Sequence, residues 1–309
     1  MATVLITGGT GMVGRHLTRM LVDKGYEVII LSRKSGVESI ETGISYANWD
    51  VDKQTIDSDA IAKADHIIHL AGAGVADKRW STKRKNEIVL SRTQSSALIV
   101  KALKEIPNQV KTVVSASAIG WYGPDTKASK QNGFTEGAVA DTAFLGETCR
   151  LWEESISPVE TMHKRLVKLR IGIVLSNDGG ALVEFMKPLK AGLATILGNG
   201  NQVISWIGIE DLCRLFMHAI KHEEMNGVYN AVAPHPVTNK QLTMQLAKKM
   251  RGKFFIPVYV PAFVLKIMLG EMSIEVLKSA TVNSHKTKTV GFSFISPTVD
   301  AVLELLLHK

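Results

Sequence analysis

Cysteine is nearly absent from this chain. Of 309 residues, only Cys149 and Cys213 carry a thiol. Two cysteines cannot build a disulfide framework, so a fold held by packing in a reducing compartment is expected. Long apolar runs are also missing. The most apolar late stretch, 256–269, is short, holds two prolines and is interrupted by Lys266. A membrane span needs roughly 20 apolar residues, so none is expected. The N-terminus has no basic segment ahead of its one short apolar run, which breaks at Gly8-Gly9, unlike a secretory signal. A soluble cytoplasmic protein is the expectation. No His/Cys cluster has metal-ligand spacing. His66 and His69, three apart on an extended run, face opposite sides and do not form a metal pair. Aromatics make up 6% of the chain and do not alternate with basic residues as in a single-strand nucleic-acid binder. The charge surplus is small: 37 Lys and Arg against 29 Asp and Glu give +8. That suits phosphate-bearing ligands and falls short of a nucleic-acid surface.

What is present is an alternation. Residues 3–7, 27–32, 44–49, 66–70, 110–115 and 166–175 read as short apolar strands. Between them lie helical patterns at 12–24, 81–104 and 141–163. Continuous apolar strands between amphipathic helices predict a doubly wound parallel α/β sheet. The rhythm changes near Ser176. Further helices are predicted at 209–222, 239–250, 261–279 and 298–307, with Pro297 just ahead of the last. The expected division is residues 1–175 as a nucleotide-binding domain and 176–309 as a smaller substrate lobe, with some later elements returning to the sheet. The polar segment 124–133 lacks an apolar anchor and reads as a mobile loop.

One turn carries chemistry. Thr7-Gly8-Gly9-Thr10-Gly11-Met12-Val13-Gly14 follows the first strand and opens the first helix. A tight strand-to-helix turn needs a residue without Cβ. A pyrophosphate can then approach the backbone and rest on the helix N-terminal amides, with Gly14 letting the helix pack on the strand. A dinucleotide held by Gly8, Thr10, Gly11, Met12, Val13 and Gly14 is expected; the alternative is a glycine-rich turn with no ligand. The second strand ends Leu31-Ser32-Arg33-Lys34, with no carboxylate for a ribose 2′-hydroxyl. Ser32 and Arg33 therefore predict NADP(H), with Arg33 on the 2′-phosphate. The alternative is that Arg33 and Lys34 form a solvated strand end.

These residues resemble the extended short-chain dehydrogenase/reductase superfamily, with its Rossmann-like sheet. The resemblance extends through Asp50-Val51, Asp65-His66-Ile67-Ile68-His69-Leu70-Ala71-Gly72, Ser115-Ala116-Ser117-Ala118-Ile119-Gly120-Trp121-Tyr122-Gly123 and Arg170-Ile171-Gly172. It implies cofactor contacts at Asp50, Leu70, Ala71, Gly72 and Ser115. Arg79-Trp80-Ser81, Ser91-Arg92-Thr93, Trp152-Glu153, Gly179-Gly180-Ala181-Leu182, Ser205-Trp206-Ile207 and Leu269-Gly270-Glu271-Met272 resemble one subgroup. Its members are "epimerase family" proteins with a C-terminal domain of unknown function, here 254–309. The resemblance implies an oxidoreductase or nucleotide-sugar epimerase-like enzyme acting on a small molecule, phosphorylated or nucleotide-linked. A non-catalytic NADPH-binding regulatory protein is the rival, and a homo-oligomer stays open.

The superfamily's Tyr-x-x-x-Lys pair is not found. None of the five tyrosines has lysine four residues later, and Leu145 and Cys149 fall in the two slots. Catalytic candidates are Tyr122, which otherwise shapes the pocket or packs, and Ser117, with Ala118 competing for its register. Glu147 is an acid or base if it faces the nicotinamide, and otherwise a helix-surface carboxylate. Cys149 is expected to behave as a small hydrophobe rather than a reactive thiol. Lys83, Arg84 and Lys85 read as a solvated helix face. Substrate candidates are Arg79, Trp80, Gln202 and Trp206, the last balanced against a core tryptophan.

Overall fold

A computed structural model describes residues 1–34 and 41–307. The first half alternates as the periodicity predicts. The strands are β1 (Thr3–Thr7), β2 (Glu27–Ser32), β3 (Ile44–Asp50), a short β4 (Thr55–Ile56), β5 (His66–His69), β6 (Thr112–Ala118), β7 (Arg165–Ile171) and β8 (Ile173–Leu175). The intervening helices are α1 (Met12–Asp23), α2 (Ser58–Lys63), α3 (Thr82–Glu105), α4 (Lys127–Asn132) and α5 (Phe144–Ile156). The second half contributes α6 (Ala181–Lys190), β9 (Leu193–Leu197), β10 (Val203–Ile204), β11 (Trp206–Gly208), α7 (Ile209–Lys221), β12 (Gly227–Ala231) and β13 (Val237–Thr238). It ends with α8 (Asn239–Arg251), β14 (Ile256–Val260), α9 (Ala262–Leu269), α10 (Ser273–Leu277), α11 (His285–Thr289) and α12 (Val299–Leu307).

The central sheet runs β12-β7-β6-β5-β1-β2-β3-β4 and is parallel except for β4. The order reverses direction between β1 and β5. This topological switch point opens a crevice at the carboxyl ends of the two strands, where α/β sheets bind ligands. Both faces are covered. Val4, Ile6, Ile68 and Val114 pack beneath α1 and α7, while Leu5, Ile67 and Val113 face α3 and its neighbours. β12 comes from beyond residue 176 yet pairs with β7, so the second half is stitched into the sheet. A separate cluster of Leu182, Trp206, Leu242, Leu246 and Leu303 forms the C-terminal core.

Several sequence expectations are corrected. The strand read at 166–175 breaks at Gly172, and its second piece leaves the sheet to pair with β11. A Cβ at Gly172 would lie 2.7 Å from the Ser205 carbonyl oxygen, so the crossing requires glycine. The helix read at 141–163 starts at Phe144 and gives way to a 3-10 turn at Ser157–Met162, which carries Pro158. The helix read at 261–279 is cut at Gly270, whose φ of 62° is left-handed. The segment 124–133 is no free loop. Thr126 and Ser129 cap α4 reciprocally, Asp125 accepts from the Thr281 amide at 2.8 Å and hydroxyl at 2.7 Å, and Phe134 stacks on Tyr122. Polar anchors rather than apolar ones fix the segment.

A buried ion pair joins these parts. Glu153 of α5 accepts from Arg170 of β7 on both oxygens, at 2.8 and 3.0 Å. Ser117 of β6 donates to the same carboxylate at 2.7 Å. Arg170 also donates to the Tyr122 hydroxyl and the Glu136 carbonyl, both at 3.1 Å, and Tyr122 donates to Asn230 of β12 at 2.7 Å. Burial opposes the Arg170 charge, but its bonds to Glu153 overcome that and raise its pKa. Removing one partner of such a pair leaves an uncompensated buried charge. Glu153→Ala is therefore expected to cost about 3–5 kcal/mol. Urea unfolding at neutral pH measures it, and a loss under about 1 kcal/mol would show that the pair does not hold the sheet together.

Candidate functional site

The glycine turn lies at the β1 end of the crevice. Gly8 adopts φ +69°, and a Cβ there would stand 3.0 Å from the Leu70 carbonyl. A Cβ on Gly14 would sit 2.3 Å from the Gly8 carbonyl oxygen. Helix α1 thus starts almost in contact with the strand that feeds it. Its N-cap, Gly11, makes no side-chain cap bond, and no acidic residue lies in the first turn. The first amides of α1 and their partial positive charge are left for an outside anion. Thr10 and Gly11 are exposed, and Met12 and Val13 half-buried. Gly179 and Gly180, after β8, come within van der Waals reach of Met12 and cover the turn from the second half. His16 of α1 bonds Asp178 of the same covering segment at 2.6 Å.

A hydroxyl junction fixes the switch point. The amides of Leu70 and Ala71 both donate to Thr7 Oγ1 at 3.1 Å. With two donors on its oxygen, Thr7 spends its proton on His69 Nδ1, 2.7 Å away. That assigns the other tautomer proton to Nε2, which faces Ser96 Oγ at 3.1 Å. A charged imidazole could not accept from Thr7. Burial, with Arg92 adding repulsion, pushes the His69 pKa down to about 4.

At the end of β2, Ser32 Oγ accepts the Lys34 amide at 3.1 Å, and Arg33 is exposed. Asp50 takes the Asp52 and Lys53 amides at 3.0 Å, and the Lys53 amide leads in lowering its pKa. Ser115 is buried, its hydroxyl 3.2 Å from the Ala116 carbonyl.

The remaining candidates scatter. Trp80 donates its indole N–H to the Val75 carbonyl at 2.9 Å and packs edge-on against Phe144, while exposed Arg79 rests against Gly270. Gln202 and Trp206 are turned into the protein: Gln202 is buried with its amide on the Leu197 carbonyl, and fully buried Trp206 donates to the His235 carbonyl at 3.0 Å. Of the two alternatives for Trp206, the ring is core. Ser117 is spent on Glu153. Tyr122 is fully buried, and burial, with Arg170 working against it, pushes its phenol up to about 12. Leu145 and Cys149 do share one face of α5, against Gly120 at the end of β6. Burial pushes the Cys149 thiol up to about 12, the direction of an inert hydrophobe. Glu147 pairs with Arg150 rather than with the crevice.

The basic helix face is corrected at Arg84, while Lys83 is exposed. Arg84 is buried and donates to the Gly74 carbonyl, with Glu87 2.7 Å away. Arg92 is buried and donates to the Ala73 carbonyl at 3.1 Å, while the Ala73 amide donates to Ser91 at 3.0 Å. Three α3 side chains thus hold residues 73–74, the backbone that leaves β5 across the crevice. The sequence signal was their spacing: 84, 88, 91, 92 and 95 fall on one helical face.

Comparisons with known proteins bear on the family and the fold. The model of the NAD-dependent epimerase/dehydratase family matches residues 4–231, and that of a domain of unknown function, DUF1731, matches 260–306. The chain is 34% identical over 305 residues to epimerase family protein SSP1921 of Staphylococcus saprophyticus, covering 98% of this chain and 99% of that one. It is 32% identical to epimerase family protein YfhF of Bacillus subtilis, over 98% and 97% of the two chains. Among solved structures, it resembles human epimerase family protein SDR39U1, crystallised with NADPH, at a TM-score of 0.86, 27% identity and 99% coverage of both chains. UDP-glucose 4-epimerase of Thermotoga maritima shares the fold, at a TM-score of 0.80 and 20% identity over 99% of this chain and 97% of that one. No helix among the described residues is long and apolar enough to cross a membrane.

The His69 junction predicts an acid-sensitive fold. A group held neutral, with its pKa lowered from 6.5 to about 4, contributes fully above 6.5 and loses that contribution as pH falls through 4. The loss from this one group should approach roughly 3 kcal/mol. Chemical unfolding at pH 7, 5.5 and 4 should show it, and His69→Gln should flatten the slope. Parallel slopes for the two proteins would remove His69 from this role.

Proposed function

The chain belongs to the NAD-dependent epimerase/dehydratase family, and we propose that it is an NADP(H)-dependent, atypical short-chain dehydrogenase/reductase, an oxidoreductase or nucleotide-sugar epimerase-like enzyme on a small phosphorylated or nucleotide-linked substrate. The observation that carries this reading is the uncapped N-terminus of α1, held by Gly8 and Gly14 where side chains cannot enter, beside a β2 end that offers Arg33 and no carboxylate. The NADPH in the human relative's structure supports the same choice.

When bound, the nicotinamide supplies or accepts hydride. The chain's own residues do the rest. The amides from Gly11 to Gly14 take the pyrophosphate, and the covering Gly179-Gly180 segment excludes water from it. Arg33, with Ser32 beside it, takes the 2′-phosphate. Asp50 lies near the adenine, and Leu70, Ala71, Gly72 and Ser115 form the floor beneath the nicotinamide half. Arg79 and Trp80 receive the substrate from the rim, and the segment after 176, apart from β12, closes the far wall.

Tyr122 is not the proton donor in this reading. Its hydroxyl already donates to Asn230, and its pKa moves away from neutrality. Ser117 is likewise committed to Glu153. Both position the β6 end. The same burial favours a second reading, a non-catalytic NADPH-binding protein whose closure on the cofactor regulates a partner.

Fluorescence titration tests the cofactor choice. NADPH should bind at least about tenfold tighter than NADH, since a charge-assisted hydrogen bond contributes about 1.5–3 kcal/mol. Arg33→Glu should erase that preference; tighter NADH binding by the native protein would overturn the choice. Incubation with NADPH and a panel of carbonyl compounds and nucleotide-sugars, followed at 340 nm and by product analysis, separates the two readings. Turnover supports the enzyme, and tight binding with no turnover across the panel supports the regulator.

A further inference from the structure

Arg92 is 9% exposed, yet no carboxylate pairs with it among the described residues. Its Nη1 is spent on two backbone carbonyls, Ile88 at 2.8 Å and Ala73 at 3.1 Å. Its Nε and Nη2 have no acceptor among the described residues, and neither is among the sealed buried atoms. This is the edge of a guanidinium that grips two oxygens at once. A buried cation ordinarily has a counter-charge. The groups around this one offer none. His69 and Cys149 are both driven to their neutral forms by burial, and the Trp152 ring lies 4.9 Å away, offering only its π-face. Arg84, whose charge also acts on it, is itself positive.

Its place in the crevice narrows what it can meet. The guanidinium carbon would lie 3.2 Å from a Cβ on Gly72, so the head rests on exposed backbone just beyond β5. On its other side are Cys149 and Trp152 of α5, the helix that packs against Gly120 at the end of β6. Arg92 therefore lies between the ends of β5 and β6. The glycine turn, by contrast, touches Leu70 and Ala71 from β1. A cofactor pyrophosphate on that turn has its own amides and does not need Arg92.

We propose that Arg92, whose head rests on Gly72, is the anion-binding residue of the substrate site, taking a carboxylate or phosphate of the substrate on its free Nε/Nη2 edge. The proposal rests on the crevice being the NADP(H) site. It narrows the substrate to a molecule that carries an oxyanionic group, and it explains why an α3 side chain is buried charged where an apolar one would pack.

The test uses the native chain. NADPH binding is read first; its absence overturns the cofactor reading and the premise with it. Oxalate and inorganic phosphate are then titrated into the NADP⁺ complex at fixed ionic strength, by calorimetry and by following arginine Nε–H resonances. One of the two anions should bind and shift a single buried arginine signal. Arg92→Gln should weaken that binding at least tenfold, with NADPH affinity changed less than about threefold, and Arg92→Lys should recover part of it. Oxalate and phosphate both failing on a complex that holds NADP⁺ would overturn the proposal alone. So would equal anion binding by Arg92→Gln, or a loss of NADPH affinity as large as the loss of anion affinity, which would assign the arginine to the cofactor. If Arg92→Gln fails to fold, the native arginine resonance decides: a shift on adding anion supports the proposal, and none overturns it.

Discussion

The bond between Glu153 and Arg170 is the constraint on which the rest depends. It is bidentate and almost wholly buried, with side chains 7% and 3% exposed. Such a pair gives little net stability over an apolar substitute, but it gives direction. Its oxygens and nitrogens are all claimed, by Ser117 from β6, Tyr122 from the turn after it and the Glu136 carbonyl from the segment that follows α4. Asn230 extends the network to β12, and its side-chain amide donates to the Phe134 and Asn283 carbonyls. One carboxylate therefore sets the relative positions of three adjacent strand ends and the two segments that roof them. The crevice has a fixed floor on this side because the pair has no other way to be satisfied.

On the other side of the switch point, the same service is done without charge. Thr7 holds two amides with one oxygen and passes its proton to His69, and Gly8 and Gly14 let backbone meet backbone. Neutral hydrogen bonds suffice because the groups are already fixed by the β1–β5 ladder. A negative charge here would repel any anion brought to the α1 amides. Positive charge borders the turn: exposed Arg15 of α1 donates to the Thr10 carbonyl at 2.9 Å, and Arg33 is exposed at the end of β2.

Much of this was legible in the sequence, and the limit follows a physical line. Periodicity located α1, β2, α7 and α8 to within a residue or two, because each buries one face against the sheet and its side chains repeat accordingly. The glycine turn was legible because spacing encodes sterics. What escaped was settled by partners distant in sequence. His69 meets Thr7 across 62 residues, and Tyr122 meets Asn230 across 108. No local pattern distinguishes Ser117 facing a substrate from Ser117 facing Glu153. The 124–133 segment misled because its anchors are hydrogen bonds to Ser279 and Thr281, not apolar contacts. The basic run at 83–85 misled for the opposite reason. Its composition reads as solvent-facing, while Arg84 alone of the three turns inward.

Tyr122 stands in the sequence either as a proton-exchanging phenol or as a ring that shapes the pocket or packs. A phenol in that role needs a base within reach, an open path to substrate and a pKa moved toward neutrality. Tyr122 instead has Asn230 as its acceptor, Phe134 stacked 5.0 Å away on its ring, and no exposed surface. Arg170 favours the phenolate, yet burial outweighs it. The cation that would activate this tyrosine is already neutralised by Glu153. Arg92, by contrast, is buried with no carboxylate partner among the described residues.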